Sequence, residues 1–201
     1  MQTVYFCILL CYNFPIAAAG KDTAARRDDM RLFIAINLTS GMKRALLAGE
    51  ASLRAQAEHG SFTPCGNLHL TLAFIGESRR TSELRRIIAE CACPPFEIRL
   101  GSPGRFGDLW WAGLEPCDEL DALVLRLREK LSGAGFAIDE RPFRAHITLA
   151  RRVRPADIPA PKIPGASMIV KRISLMRSQR RERGMEYTEV FGYDLGRGEE
   201  K

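Results

Sequence analysis

Between Arg31 and Leu38 five apolar residues follow one another, Leu32, Phe33, Ile34, Ala35 and Ile36, as expected of a strand buried on both faces. The spacing then becomes helical. Ser40 offers a cap, Met42, Leu46, Leu47, Leu53 and Ala57 recur at helical intervals, and Gly60 stops the run. Strict alternation returns in "NLHLTLAFIG", Asn67 to Gly76, and the next stretch, "TSELRRIIAECA", is helical again, with Leu84, Ile87 and Ile88 on one stripe behind Thr81 or Ser82. "FEIRLGSPGRFGDLWWAGLE" reads as two strands around a Gly- and Pro-rich turn. "DELDALVLRLREKLSGAG" reads as a helix with Asp118 as its cap, Leu120, Leu123, Leu127 and Leu131 on its stripe, and Gly133 or Gly135 at its end. A strand in "RPFRAHITLARRV" precedes "RPADIPAPKIPG", too proline-dense for regular structure. Two strands, near Met168 to Met176 and Met185 to Leu195, close the chain around the basic turn "RSQRRERG".

Strands and helices thus fall into two rough halves, and each half holds one copy of nearly the same five residues. "HLTLA" and "HITLA" differ only in Leu70 against Ile147, in a chain with three histidines. A pseudo-symmetric pair of lobes is the natural explanation. Because strand side chains alternate, His69 and Thr71 share one face while Leu70 and Leu72 take the other. His146 and Thr148 repeat this opposite Ile147 and Leu149. If both strands face one cleft, it receives two imidazoles and two hydroxyls. One imidazole would accept a proton from an attacking oxygen and the other would donate one to the leaving oxygen. The hydroxyls would hold the non-bridging oxygens of a phosphate as charge builds up. Neither strand adds the acidic partner or third ligand of a metal centre, so no metal or cofactor is expected. The third histidine, His59 in "QAEHG", is expected at an exposed helix end without a role.

Composition narrows the class without naming a substrate. With 201 residues, 46% hydrophobic and 27% charged, the chain is expected to fold around a substantial core. Lys and Arg exceed Asp and Glu by 30 to 24, which favours a polyanionic partner. The six cysteines, Cys7, Cys11, Cys65, Cys91, Cys93 and Cys117, match neither a zinc ribbon nor a disulfide scaffold and are read as reduced thiols. No GxxxxGK[ST] loop is present for a nucleotide-driven ligase. Residues 1–29 open on an apolar run too short to span a bilayer and pass into the polar "KDTAARRDD". They read as an extension outside the fold, with an export signal as the other reading.

"MRLFIAINL", "NLHLTLAFIGE" and "RPFRAHITLARR" together resemble the 2H phosphoesterase superfamily, and within it the bacterial RNA 2',3'-cyclic phosphodiesterases, historically called 2'-5' RNA ligases. The resemblance runs in order from Met30 to about Leu195. It implies an α+β fold of two lobes, each an antiparallel sheet backed by helices, with the active site in the groove between them. The domain would be residues 30–196, with a polar tail at 197–201. His69 and His146 would be the acid/base pair, Thr71 and Thr148 the phosphate-binding hydroxyls, and Arg151 a neutralising cation. Strand parity alone turns Arg151 to the leucine face, so that role requires the strand to end or twist there. The implied reaction opens the terminal 2',3'-cyclic phosphate of an RNA to a 2'-phosphate without a metal, and its reverse is 2'-5' ligation. The implied partner is an RNA end, with no membrane, for a monomeric cytoplasmic protein. Phe106, Trp110 or Trp111 are candidates to stack on the terminal base. Two other readings stay open: a phosphodiesterase of small cyclic nucleotides or ADP-ribose cyclic phosphate, and a non-catalytic RNA-end-binding module.

Overall fold

The computed structural model describes residues 30–155, 157–182 and 184–196. The expectations for residues 1–29, for the tail at 197–201 and for Arg183 lie outside them. Within them the order is β1 (Met30–Asn37), α1 (Ser40–Arg54), β2 (His59–Phe62), β3 (His69–Ser78), α2 (Thr81–Glu90), β4 (Phe96–Phe106), β5 (Leu109–Leu114), α3 (Asp118–Gly133), β6 (His146–Arg154), β7 (Ser167–Val170), β8 (Arg172–Arg181) and β9 (Gly184–Asp194).

Two antiparallel sheets result. One has the order β3-β1-β8-β9 and the other β2-β6-β5-β4-β7, the two-lobed α+β arrangement expected. The lobes are not the two halves of the chain. β1 and β3 from the start join β8 and β9 from the end, while β2 crosses over to pair with β6. The helices are exchanged too. α1 backs β6 and β7 of the five-stranded sheet, whereas α2 packs on β8 and β9, and α3 on β3 and β4. The even-numbered apolar residues of β1 and the leucines of β3 meet those of β6 and the helices in one core, with Ile34, Leu46, Leu70, Leu127, Ile147 and Leu149 fully buried. Each such side chain contributes about 1.5–3 kcal/mol of burial. The odd-numbered Phe33 and Ala35 face the other way, into a small cluster with Met176, which is why β1 reads as a continuous apolar run.

Several local expectations are corrected. The first helix ends at Arg54 rather than at Gly60, and His59 stands exposed in the short edge strand β2, opposite Arg154. Thr39, not Ser40, caps α1, accepting from the Met42 amide at 3.4 Å. Cys117 takes the cap position of α3 and Asp118 is its first residue. α3 ends in a Schellman motif: Gly135 has φ +75°, Phe136 N donates to Leu131 O at 3.0 Å, and Gly135 N to Ser132 O at 2.9 Å. The single strand expected near Met168 to Met176 is two, split at Lys171, where the chain leaves one sheet for the other. The basic turn is largely strand, since β8 runs to Arg181 and pairs closely with β9 from Gly184.

Candidate active site

β3 and β6, the strands that carry the repeated residues, share more than sequence. Their first six positions have the same burial pattern, with the second, fourth and fifth residues buried and the others half-exposed. Two successive buried residues, Leu72–Ala73 in one strand and Leu149–Ala150 in the other, break the alternation. The pairing explains how. Between Ile34↔Ala73 and Ala35↔Thr71, Leu72 is an extra residue; between Trp110↔Ala150 and Trp111↔Thr148, Leu149 is the extra one. Each strand therefore has a β-bulge at the same place in the repeat. The bulge reverses the parity of the residues beyond it, so Arg151 faces the same way as His146 and Thr148 instead of the leucine face. Arg152 then adopts φ +55°, and its Nη2 donates to Ser61 Oγ on β2 at 2.7 Å.

A cleft of about 720 Å³ lies between the lobes and is lined by all five residues singled out in the sequence: His69, Thr71, His146, Thr148 and Arg151. The imidazoles are held alike. Nδ1 of His69 lies 2.7 Å from the Asn67 carbonyl and Nδ1 of His146 lies 2.8 Å from the Arg144 carbonyl, each two residues back along the chain. A carbonyl only accepts, so each Nδ1 carries the hydrogen, and in the neutral ring Nε2 is the free base. His69 Nε2 accepts from the Thr71 hydroxyl at 3.0 Å. Asn67 also ties the start of β3 to β9, its Nδ2 donating to the Met185 carbonyl at 2.7 Å.

Burial dominates the electrostatics. It pushes His69 down to about 4, against the Asn67 carbonyl, which favours the proton; the charges of His146, Arg151 and Lys43 push the same way as burial. His146 is lowered chiefly by burial, with the Arg144 carbonyl opposing and Arg151 adding to the fall. Both rings are thus neutral near pH 7 in a cleft that already holds Arg151, which suits an anion's arrival. Among the described residues no three His, Cys, Asp or Glu side chains gather as a metal site. The four described cysteines are free thiols, and no described helix is long and apolar enough to cross a membrane.

The aromatic expectations fare differently. Trp110 is 3% exposed and belongs to the core. Trp111 packs on Phe106 at 5.4 Å and stands edge-on to His146 at 6.4 Å. The cleft is lined instead by Phe33, Phe74 and Tyr187, residues the sequence pattern did not single out. Phe33 and Tyr187 both contact the His69 ring, at 5.0 and 5.1 Å. Phe33 and Phe74 lie in continuous apolar runs and Tyr187 in an alternating strand, patterns that plain core residues would also produce.

Residues 47–182 match the family model described as the 2'-5' RNA ligase superfamily. A Thermus thermophilus protein named RNA 2',3'-cyclic phosphodiesterase is 32% identical over 185 residues, 85% of this chain and 92% of that one. One of the same name from Geobacillus stearothermophilus is 30% identical over 129 residues, 60% of this chain but 41% of its own length. The crystal structure of Escherichia coli LigT in apo form superposes with a TM-score of 0.74 at 29% identity, covering 83% of this chain and 98% of that one; its complex with 3'-AMP gives 0.72 at 27%, covering 84% and 98%. With the family model matched over most of the described chain and the Thermus relative aligned nearly end to end, the chain belongs to the 2'-5' RNA ligase superfamily.

Proposed function

We propose that the protein is an RNA 2',3'-cyclic phosphodiesterase that opens a terminal cyclic phosphate to a 2'-phosphate by metal-independent acid/base catalysis. The observation that carries this reading is the paired geometry of His69 and His146. Each imidazole is fixed through Nδ1 by the backbone carbonyl two residues before it, which directs Nε2 to the chemistry of one shared cleft beside two threonines and an arginine, with Thr71 already donating to Nε2 of His69. One Nε2 takes a proton from water, whose oxygen bonds to phosphorus as the bond to the 3' oxygen breaks. The other, protonated, gives its proton to that oxygen. Thr71, Thr148 and Arg151 hold the non-bridging oxygens, and the phosphate's negative charge offsets the burial that keeps both rings neutral. With a 5'-hydroxyl attacking phosphorus in place of water, the same proton transfers join it to the cyclic end as a 2'-5' phosphodiester, the 3' oxygen again leaving with the proton, without ATP. The donor set supports the metal-free reading, since no third ligand stands near the histidines among the described residues. The working unit is residues 30–196, acting as a monomer in the cytoplasm on RNA ends.

A small-nucleotide enzyme of the same mechanism is distinguished by charge. Arg180 and Arg181 are exposed on β8, whose hairpin partner β9 supplies Met185 and Tyr187 to the cleft. A polynucleotide leaving the cleft over this hairpin displaces counterions, each neutralised phosphate adding about 0.7 to the slope of log affinity against log salt. The test is the Michaelis constant for an oligonucleotide and for a mononucleotide, both with 2',3'-cyclic ends, across a salt series with product regiochemistry assigned. A steep slope for the oligonucleotide alone and a 2'-phosphate product are expected. Equal shallow slopes would favour the small-nucleotide reading.

A further inference from the structure

The connection from β2 to β3, residues 63–68, passes from the five-stranded sheet to the four-stranded one and touches both motif strands. At its start the Thr63 amide donates to the Leu149 carbonyl at 2.8 Å, and Leu149 is the extra residue of the β6 bulge, next to Thr148. Near its end the Asn67 carbonyl accepts from Nδ1 of His69 at 2.7 Å and so sets that ring's tautomer. Between them Pro64, Cys65 and Gly66 are exposed. The segment makes a single 3-10 turn, Cys65–Asn67, in which the Asn67 amide donates to the Pro64 carbonyl at 2.7 Å. A lone exposed turn has few buried contacts to keep its last carbonyl in place.

The Asn67 side chain supplies the hold. Its Nδ2 donates at 2.7 Å to the carbonyl of Met185 on β9, 118 positions further along the chain. A carbonyl only accepts, so the amide nitrogen and not the amide oxygen faces it. With its backbone amide, its carbonyl and its side chain, Asn67 therefore joins the turn, the His69 ring and the β8–β9 hairpin. The pseudo-symmetry of the motifs stops here: the carbonyl that holds His146 belongs to Arg144, which is exposed, whereas Asn67 is half-buried and bonded to another residue of the cleft wall. The Thr71 hydroxyl beside Nε2 of His69 cannot fix the tautomer, because a hydroxyl donates or accepts as the ring requires. Resting on the phosphodiesterase reading above, we propose that Asn67 is a positioning residue for His69. Its side chain latches the turn to β9 and thereby keeps in place the carbonyl that directs the ring's hydrogen to Nδ1. Asn67 touches no reacting atom. With the latch open the carbonyl moves away, the hydrogen is free to sit on Nε2, and the ring in that form turns no lone pair toward the cleft.

The experiment reads the ring nitrogens of His69 and His146 by NMR of the full chain, labelled at histidine, at pH 8 without substrate, in the wild type and in Asn67→Ala. It then measures kcat and KM of both proteins for an oligonucleotide with a 2',3'-cyclic end. In the wild type both rings are expected to carry the hydrogen on Nδ1. In Asn67→Ala, His69 should become a mixture of the two tautomers while His146 is unchanged. The variant's kcat should fall roughly threefold to tenfold, the range of one hydrogen bond's net worth, with KM changed by less than about twofold because Thr71, Thr148 and Arg151 are untouched. A His69 ring still held wholly in the Nδ1 form, the same change at His146, or an unchanged kcat would overturn the latch. If Asn67→Ala does not fold, Asn67→Leu, close to asparagine in size and without a donor, is judged by the same criterion. Should the wild type not turn over the oligonucleotide, the phosphodiesterase reading fails and the NMR comparison alone decides the latch.

Discussion

Replacing His69 with Gln should flatten the acid limb of the protein's stability profile. The folded ring titrates at about 4 because burial outweighs the Asn67 carbonyl, while the unfolded chain returns it to the ordinary 6.5. Between these values the unfolded state binds more protons, so stability falls as pH drops through this window and is not regained below it. The shift corresponds to about 3 kcal/mol when complete, and to about 2 kcal/mol between pH 7 and pH 5. His69→Gln also loses the Thr71 contact and ring packing, but those losses do not vary with pH and cancel when each protein is referred to its own value at pH 7. His146 titrates in both proteins and cancels apart from its charge coupling to His69, which is a smaller cause of the His69 shift than burial. The assay is urea unfolding of each protein at pH 7, 6 and 5. The wild type should lose about 2 kcal/mol more than the variant over that range. Inorganic phosphate should stabilise the wild type more at pH 5 than at pH 7, since a bound anion restores the ring's proton affinity. Parallel pH profiles for the two proteins would refute the claim that His69 is buried neutral in a cleft awaiting an anion.

Glu50 on α1 is 5% exposed, its Oε1 has no partner, and burial pushes its carboxyl up to about 7 against the opposing charge of Arg54. Stability is therefore lost as pH rises from about 4.5 through 7; Glu50→Met should be more stable than the wild type by about 2 kcal/mol at pH 8, with the gap shrinking toward pH 5 in the same unfolding assay. A Cβ at Gly104 would meet Cζ2 of Trp111 at 2.1 Å, so any side chain there requires the ring to move. Gly104→Ala should thus shift the Trp111 ring, and with it His146, costing about 1–3 kcal/mol of stability and lowering turnover, read by intrinsic fluorescence and kcat. Unchanged emission and kcat would show that the ring is not the support of His146.

What the sequence revealed and what it concealed divide along physical lines. The motif strands were legible because alternation survives in "HLTL" and "HITL", and the helices of α2 and α3 because their apolar stripes are long. β2 was concealed by Ala57, which extends the helical spacing of α1, and by its own four residues, none of them buried, which show no alternation. The split at Lys171 was missed because a single polar pair, Lys171–Arg172, between two apolar stretches reads as an irregularity within one strand and not as a change of sheet. Arg151 was misdirected by parity, although the doubled Leu72–Ala73 and Leu149–Ala150 are the trace of the bulges that correct it. Phe33, Phe74 and Tyr187 gave no signal, since an aromatic on the cleft face of a strand and one in the core have the same spacing. The caps moved by one residue, as helix ends do.

Catalysis by the two histidines without a metal is measured by single-turnover hydrolysis of an RNA oligonucleotide with a 2',3'-cyclic end in excess EDTA, for the wild type, His69→Ala and His146→Ala. Full wild-type activity is expected with EDTA, and a loss on the order of a hundredfold or more in each variant, the scale of positioned acid/base catalysis. Near-wild-type rates in either histidine variant, or a wild-type rate abolished by EDTA and restored by Zn²⁺ or Mn²⁺, would contradict it.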